Sequence, residues 1–461
     1  MFFMFITAAV LAEICSALPL SGSIYIWAAE SAGPKYARFV GVVVAWWTCT
    51  AWMTFSASNC QTAANYIVSL LAIFEVEFPG GLTMNNVKWR ASIWGISEGL
   101  LILAVAMNYL PSRWYSRVFK TSLGLMMLDF LLCLTWLPVG VRKTYGFRTA
   151  REVFTGTHVF YKDNGTGAPA GWNWILSFLF AAITMTGFDA AGHIAEETKN
   201  ASVISAKGIF TSAVATGCFG FVTTILFLFC TPDFDTLFSL SAPQPFVQIY
   251  GLALGKGGAV FMTALATLSL IMNTSIAIVA ASRLIFAVAR DGVLPLSWWI
   301  GRVSKGGQPR NAVTIMYIFG ATLLCVILAS NVAFTSLVSA GGLPTIAAYG
   351  LIGLLRLTIT PNSFRSTKFK LGIFKRPMYF VTALFQAIVF SVMVSPFFFP
   401  VKAETFNFAG VILGAVTIFA IIMYFVTPED KWLKPEMVRQ ALAAGDFTFS
   451  ESASIAKPAS E

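Results

Sequence analysis

Long apolar runs separated by short polar connections recur along almost the whole chain. They fall at about 1–29, 37–58, 91–109, 115–139, 172–193, 206–230, 257–289, 311–330, 333–357, 377–399 and 406–426. A helix that crosses a bilayer needs roughly 20 mainly apolar residues. In lipid each backbone polar group must bond within its own segment, so runs of this length predict helices rather than open strands. The pattern predicts an all-α integral membrane protein with eleven spans over residues 1–426. Residues 427–461 are polar, contain Ser and Pro, and are expected to form a disordered or regulatory tail.

The polar positions inside the apolar runs single out one stretch. WNWILSFLFAAITMTGFDAAGHIAEETKNAS, residues 172–202, starts as a span and then meets Thr184, Thr186, Gly187, Asp189, Gly192 and His193. A carboxylate at bilayer depth costs several kcal/mol unless something compensates it. Glycine on both sides of Asp189 weakens the helix there and can free backbone groups toward a cavity. A broken helix with a carboxylate at its break is a way of building a midplane site for a charged small molecule. The alternative is a close helix crossing at Gly187 and Gly192, with Asp189 bonded to a neighbouring helix.

Two more isolated carboxylates lie in apolar runs, Glu13 and Asp129. In the first run Glu13, Ser16, Leu20 and Ser23 share a face at helical spacing, with Pro19 as a kink. Each of the three acids must be paired, protonated or facing water. Such a carboxyl group can take a proton from one side of a membrane and release it on the other, which makes Asp189, Glu13 and Asp129 candidates for proton coupling. The second run carries Trp46, Trp47 and Trp52, then Ser56, Ser58, Asn59, Gln61, Thr62 and Asn65. Tryptophans there are more often packing or interface anchors than ligand contacts. The seventh run puts Asn273, Thr274 and Ser275 at mid-depth and ends with Arg283 and Arg290, which snorkelling to headgroups alone would explain.

Composition agrees with this class and excludes others. The chain is 57% apolar and 11% charged, against about 25% charged in a soluble domain, and its mean hydropathy is +0.74. The formal charge of +10 would suit a nucleic-acid binder, but the basic residues sit in the short loops between runs. One alternate set of connections, with the tail, holds 22 of the 31 Lys and Arg residues, and the other holds 9. Positive residues collect on the cytoplasmic side, so the tail is expected inside and the N-terminus outside. The connection 140–171 is then extracellular, and it holds a glycosylation sequon at Asn164-Gly165-Thr166. The seven cysteines show neither metal-site spacing nor a disulfide framework. With only His158 and His193, a histidine-rich metal or haem site cannot be built, and no GxxxxGK[ST] loop is present. Neither a cofactor nor enzymatic activity is expected.

Three motifs together resemble a known family. AEICSALPLSGSIYIW looks like the second span of amino acid–polyamine–organocation permeases. GFDAAGHIAEETKNAS resembles their sixth span, and ASRLIFAVARDGVLP the amphipathic region after the eighth. The wording around Asp189, His193, Glu196 and Glu197 is most similar to the fungal branch with GABA and choline permeases. The resemblance covers roughly residues 8–426. It implies an inverted-repeat bundle of five plus five helices with two appended, and secondary active transport usually coupled to protons. It also implies that the family's first span, a second broken helix, has no counterpart here. A gene model that starts too late, or a degenerate copy, would explain that.

On this resemblance the substrate is a small amine-bearing molecule moved inward, with GABA or another amino acid favoured and choline or a polyamine as the alternative. A non-transporting sensor or truncated partner is the other class to consider. The amine would meet freed carbonyls around Thr186, Gly187 and Phe188, with the Phe188 ring available for a cation–π contact. Asp189 would stand at the break, with Asn273 and Ser275 on the opposite wall. The partners are the substrate, protons and the bilayer. The plasma membrane is favoured, with a vacuolar or other internal membrane as the alternative.

Overall fold

The computed structural model describes residues 1–155, 166–304, 307–363, 368–402 and 406–427. The sequon at Asn164-Gly165, His158 and the tail beyond Thr427 lie outside the described residues. The chain opens with α1 (Phe2–Ala17) and α2 (Ile24–Ser31), then α3 (Gly33–Ile73), α4 (Val87–Ala106) and α5 (Tyr115–Lys143). The central stretch forms three short pieces, α6 (Ala170–Leu176), α7 (Phe178–Thr184) and α8 (Ala190–His193). After it come α9 (Ala201–Cys230), α10 (Pro245–Arg290), α11 (Arg310–Ala329), α12 (Asn331–Thr358), α13 (Lys375–Val394) and α14 (Ala409–Val426).

Nine helices among the described residues are long and apolar enough to cross a membrane. Two shorter apolar helices, Phe2–Ala17 and Ala170–Thr184, occupy the first and fifth runs. Both are short for a reason visible in their residues. Pro19 removes a backbone donor and clashes with the preceding turn, so α1 stops at Ala17. The helical face expected to run from Glu13 through Leu20 and Ser23 therefore ends there, and Leu18–Ser23 forms a turn. Gly187 takes φ +90°, a conformation open to glycine, and the chain leaves helix between Thr184 and Ala190. A third break lies at Gly255 (φ 73°, ψ 178°), inside the 46-residue α10.

Packing is arranged around α3. It lies against α10, α12, α2, α4 and α14, while α1 rests on α9 and α13. One large apolar cluster unites these helices, with Trp27, Met4, Leu11 and Ile14 fully enclosed. A smaller cluster joins α5 to α10 through Cys133, Leu137, Tyr250 and Met262. Outward-facing Phe, Leu and Ile side chains remain exposed along α5, α9 and α14, as a lipid-facing surface requires.

Candidate functional site

The break in the fifth run is where the buried polar groups converge. Asp189 and His193 are 1% and 0% exposed, one turn apart across α8. Asp189 Oδ1 accepts a short hydrogen bond from the Tyr349 hydroxyl of α12. Asp189 Oδ2 lies 3.1 Å from His193 Nε2, an ion-pair distance without hydrogen-bond alignment, and neither atom has a hydrogen-bond partner among the described residues. On the other side of the ring, His193 Nδ1 is 2.7 Å from the Ser23 hydroxyl. Gly187 N donates weakly to the Tyr349 hydroxyl at 3.4 Å. Three separate pieces of chain thus meet at one carboxylate and one imidazole.

Local geometry makes this meeting possible. A Cβ on Gly192 would come within 2.8 Å of the Trp27 ring and 2.9 Å of the Ser23 Cβ, so only glycine lets α8 approach the Leu18–Ser23 turn so closely. Ser23 itself is fully buried with φ +33°, a strained conformation for a residue with a side chain. Trp52 of α3 sets its ring edge-on to His193, with centroids 5.5 Å apart.

A cavity of about 190 Å³ opens above the pair. Trp52, Phe55 and Ser58 of α3 form one wall, and Thr186, Gly187 and Asp189 supply the break. Gly341, Gly342 and Thr345 of α12 close it from the third side. The glycine pair thins the α12 wall between Val338 and Thr345, opposite two aromatic rings.

Below the pair, at the end where the broken helix leaves, charges are matched across elements. Glu196 accepts from Ser21 N at 3.0 Å and pairs with Arg290 at 3.1 Å, and Glu197 pairs with Arg283 at 2.9 Å. Tyr25 donates to Asp291 at 2.6 Å. Burial pushes the Asp291 carboxyl up from its ordinary range, while the Tyr25 hydroxyl and the Arg290 guanidinium pull it down. Arg283 is 4% exposed, so snorkelling does not describe it: its guanidinium is directed into the protein, against Glu197 and over the Tyr115 ring.

The other expected residues are placed differently. Phe188 is not on the cavity wall. Its ring stacks on Tyr349 at 5.1 Å and supports that hydroxyl instead. Ser275 is 2% exposed and is bonded by the Asn108 amide at the end of α4, through both its carbonyl (3.0 Å) and its hydroxyl (3.2 Å). Neither Ser275 nor Asn273 lines the cavity, whose opposite wall comes from α12. Glu13 accepts from Leu371 N at 3.0 Å and the Tyr379 hydroxyl at 2.6 Å, and does not line the cavity. Asp129 sits on α5 with Oδ1 enclosed and without a hydrogen-bond partner among the described residues. Tyr349, the α12 glycines and the site role of His193 were missed. The pair Gly341-Gly342 before Pro344 in an apolar run was the available signal.

The family model for amino acid permeases matches residues 1–427. The chain belongs to the amino acid permease family. Among curated members, a thiamine transporter, thi9, of Schizosaccharomyces pombe is 46% identical over 93% of this chain and 76% of that protein. The amino-acid permease BAT1 of Arabidopsis thaliana is 27% identical over 92% and 82%. A putative polyamine transporter of Candida albicans is 28% identical over 84% and 69%. Among solved structures, a manganese transporter of Eremococcus coleocola superposes with a TM-score of 0.52 at 13% identity, over 95% of this chain and 87% of that one. That likeness is one of fold. The permease is a membrane transporter of small organic substrates, not an enzyme.

Proposed function

We propose that this permease carries a small organic cation with a flat aromatic or amine-bearing body, thiamine being the substrate of first choice, and that the transport is secondary and coupled to protons. The observation that carries the reading is the cavity itself. Trp52 and Phe55 line it together with Gly341 and Gly342, and among the described residues Asp189 is its one acidic residue. A slot of that kind favours a planar group between ring and backbone, with positive charge toward the acid. The 46% identity to a thiamine transporter supports the same class. GABA, favoured on the sequence resemblance, also has a cationic end, but none of the described residues that line the cavity is a cation for its carboxylate. We also propose that the charged end, with the C-terminus, faces the cytoplasm, on the distribution of basic residues.

Uptake in a yeast strain without its own thiamine, GABA, choline and polyamine transport tests the substrate. Labelled thiamine should enter saturably, and excess unlabelled GABA should compete poorly. GABA uptake that excess thiamine leaves untouched would overturn the assignment. A C-terminal tag accessible on intact cells would overturn the orientation.

A further inference from the structure

We propose that His193 carries the coupling proton of this transporter, and that Ser23 and Asp189 position it so that the proton fastens the charged end beneath the cavity. The proposal rests on the proton-coupled reading above. It starts from two facts: His193 is fully enclosed, and its two nitrogens face different parts of the chain. Nε2 is turned to Asp189, on its own broken helix, and Nδ1 to Ser23, in the turn after α1.

The proton can be followed atom by atom. With the neutral ring's hydrogen on Nε2, toward Asp189, the Ser23 hydroxyl donates to the bare Nδ1. When Nδ1 takes up one proton, its N–H donates to Ser23 Oγ, and Ser23 becomes the acceptor. Loss of that proton restores the first arrangement. The loaded form holds an imidazolium against a carboxylate on one side and a charge-assisted hydrogen bond to Ser23 on the other. Such bonds are about twice as strong as neutral ones. Protonation therefore tightens the joint between α8 and the Leu18–Ser23 turn, and deprotonation loosens it. The strained φ of Ser23 and the side-chain-free approach at Gly192 are both spent on bringing this hydroxyl to 2.7 Å from the ring.

The other charged groups near the ring have partners of their own. Asp189 is held by Tyr349 of α12, and α3 presents the Trp52 ring. Past α8, Glu196 and Glu197 are matched by Arg290 and Arg283 of α10. Tyr25 of α2 is engaged with Asp291, while Lys199 and Lys207, before and in α9, are exposed. A proton gained by His193 thus answers the Asp189 carboxylate, which meets only the neutral Tyr349 hydroxyl on its other side. A symporter needs such a link: a proton taken from the acidic side keeps the far end shut until it leaves.

The test uses the full chain in lipid vesicles and reads backbone hydrogen exchange over residues 185–194 between pH 5 and 8, where imidazoles titrate. Protection should rise several-fold on acidification in the wild-type protein. In His193→Gln it should be independent of pH, and accumulation driven by a proton gradient should be lost. Ser23→Ala keeps the imidazole and the carboxylate, and should reduce the pH-dependent gain in protection by at least half. Its milder change keeps the test open if His193→Gln fails to fold. Wild-type protection that does not change with pH overturns the proposal. So does a His193→Gln protein that still accumulates substrate with an unchanged pH profile. A wrong substrate leaves the exchange measurement intact, so the two readings fail separately.

Discussion

On α1, Glu13 is 7% exposed and both of its oxygens are occupied, by Leu371 N and the Tyr379 hydroxyl. Tyr379 in turn accepts from Arg356, which is 1% exposed and reaches the carbonyls of Thr360 and Ser363. This acid ties α1 to α12, α13 and the connection between them. Asp189 is just as deeply enclosed and lines a cavity, yet its Oδ2 and the neighbouring His193 Nε2 have no aligned partners among the described residues. The difference teaches that burial alone does not mark a site in a membrane bundle. A structural carboxylate has its acceptors filled by rigid elements, whereas a candidate for function keeps an unfilled acceptor beside a titratable neighbour.

Asp189→Asn should break that contrast most severely. The side chain keeps its shape and Tyr349 can still bond it, so the fold should survive. The charge under Trp52 and Phe55 is gone. We expect gradient-driven accumulation to fall at least ten-fold, with substrate exchange partly preserved, measured as uptake and counterflow in the same vesicles. An unchanged accumulation ratio would place Asp189 with Glu13 among the structural acids.

Glu13→Gln should act on stability instead. The amide oxygen can still accept from one donor, but the other partner is left short, which costs about 1–3 kcal/mol for a buried group. A lower unfolding temperature and reduced yield are expected, with uptake per folded molecule close to wild type. Loss of proton coupling at normal stability would move Glu13 into the working class.

A smaller effect belongs to Glu197→Gln. Its partner Arg283 is buried, but Glu197 is 54% exposed at its side chain, so water screens much of the attraction. About 0.5–1 kcal/mol of stability should be lost, which chemical unfolding can resolve. A loss several times larger would mean that this pair, and not the His193 joint, holds the charged end together.

The three acids show how far the residues alone could be read. Helices, family and the break at Asp189 were legible, because long apolar runs and flanking glycines are local signals. The turn after Ala17 was half legible: Pro19 announced a kink, but not a stop that carries Ser23 to His193, 170 positions away along the chain. The wall at Gly341-Gly342 and the Tyr349 hydroxyl depend on which face of α12 meets the break. No periodicity in an all-round apolar helix records that face. Asn273 and Ser275 were polar at the expected depth, yet depth does not reveal direction, and Ser275 is turned to Asn108.

Asp129 gives the smallest expected effect and sharpens the comparison from its far side. It lies on α5 beside the smaller cluster, with Tyr66 of α3 and Tyr250 of α10 in electrostatic range. Its enclosed Oδ1 has no hydrogen-bond partner among the described residues, like Asp189 Oδ2. It differs in its surroundings: the cavity above the break does not reach it, and both histidines of the chain lie elsewhere in the sequence. If a place on the cavity wall and an imidazole beside the acid are both needed, an orphaned oxygen alone should not make a coupling site. Asp129→Asn removes a charge that is costly to hold in an apolar setting and keeps the volume. Stability should stay within about 0.5 kcal/mol of wild type or rise slightly, and the pH profile of uptake should not move. Thermal unfolding and uptake between pH 5 and 8 measure both. A collapse of accumulation in Asp129→Asn, with Asp189→Asn still active, would reverse the roles assigned to the two acids and place the proton route along α5.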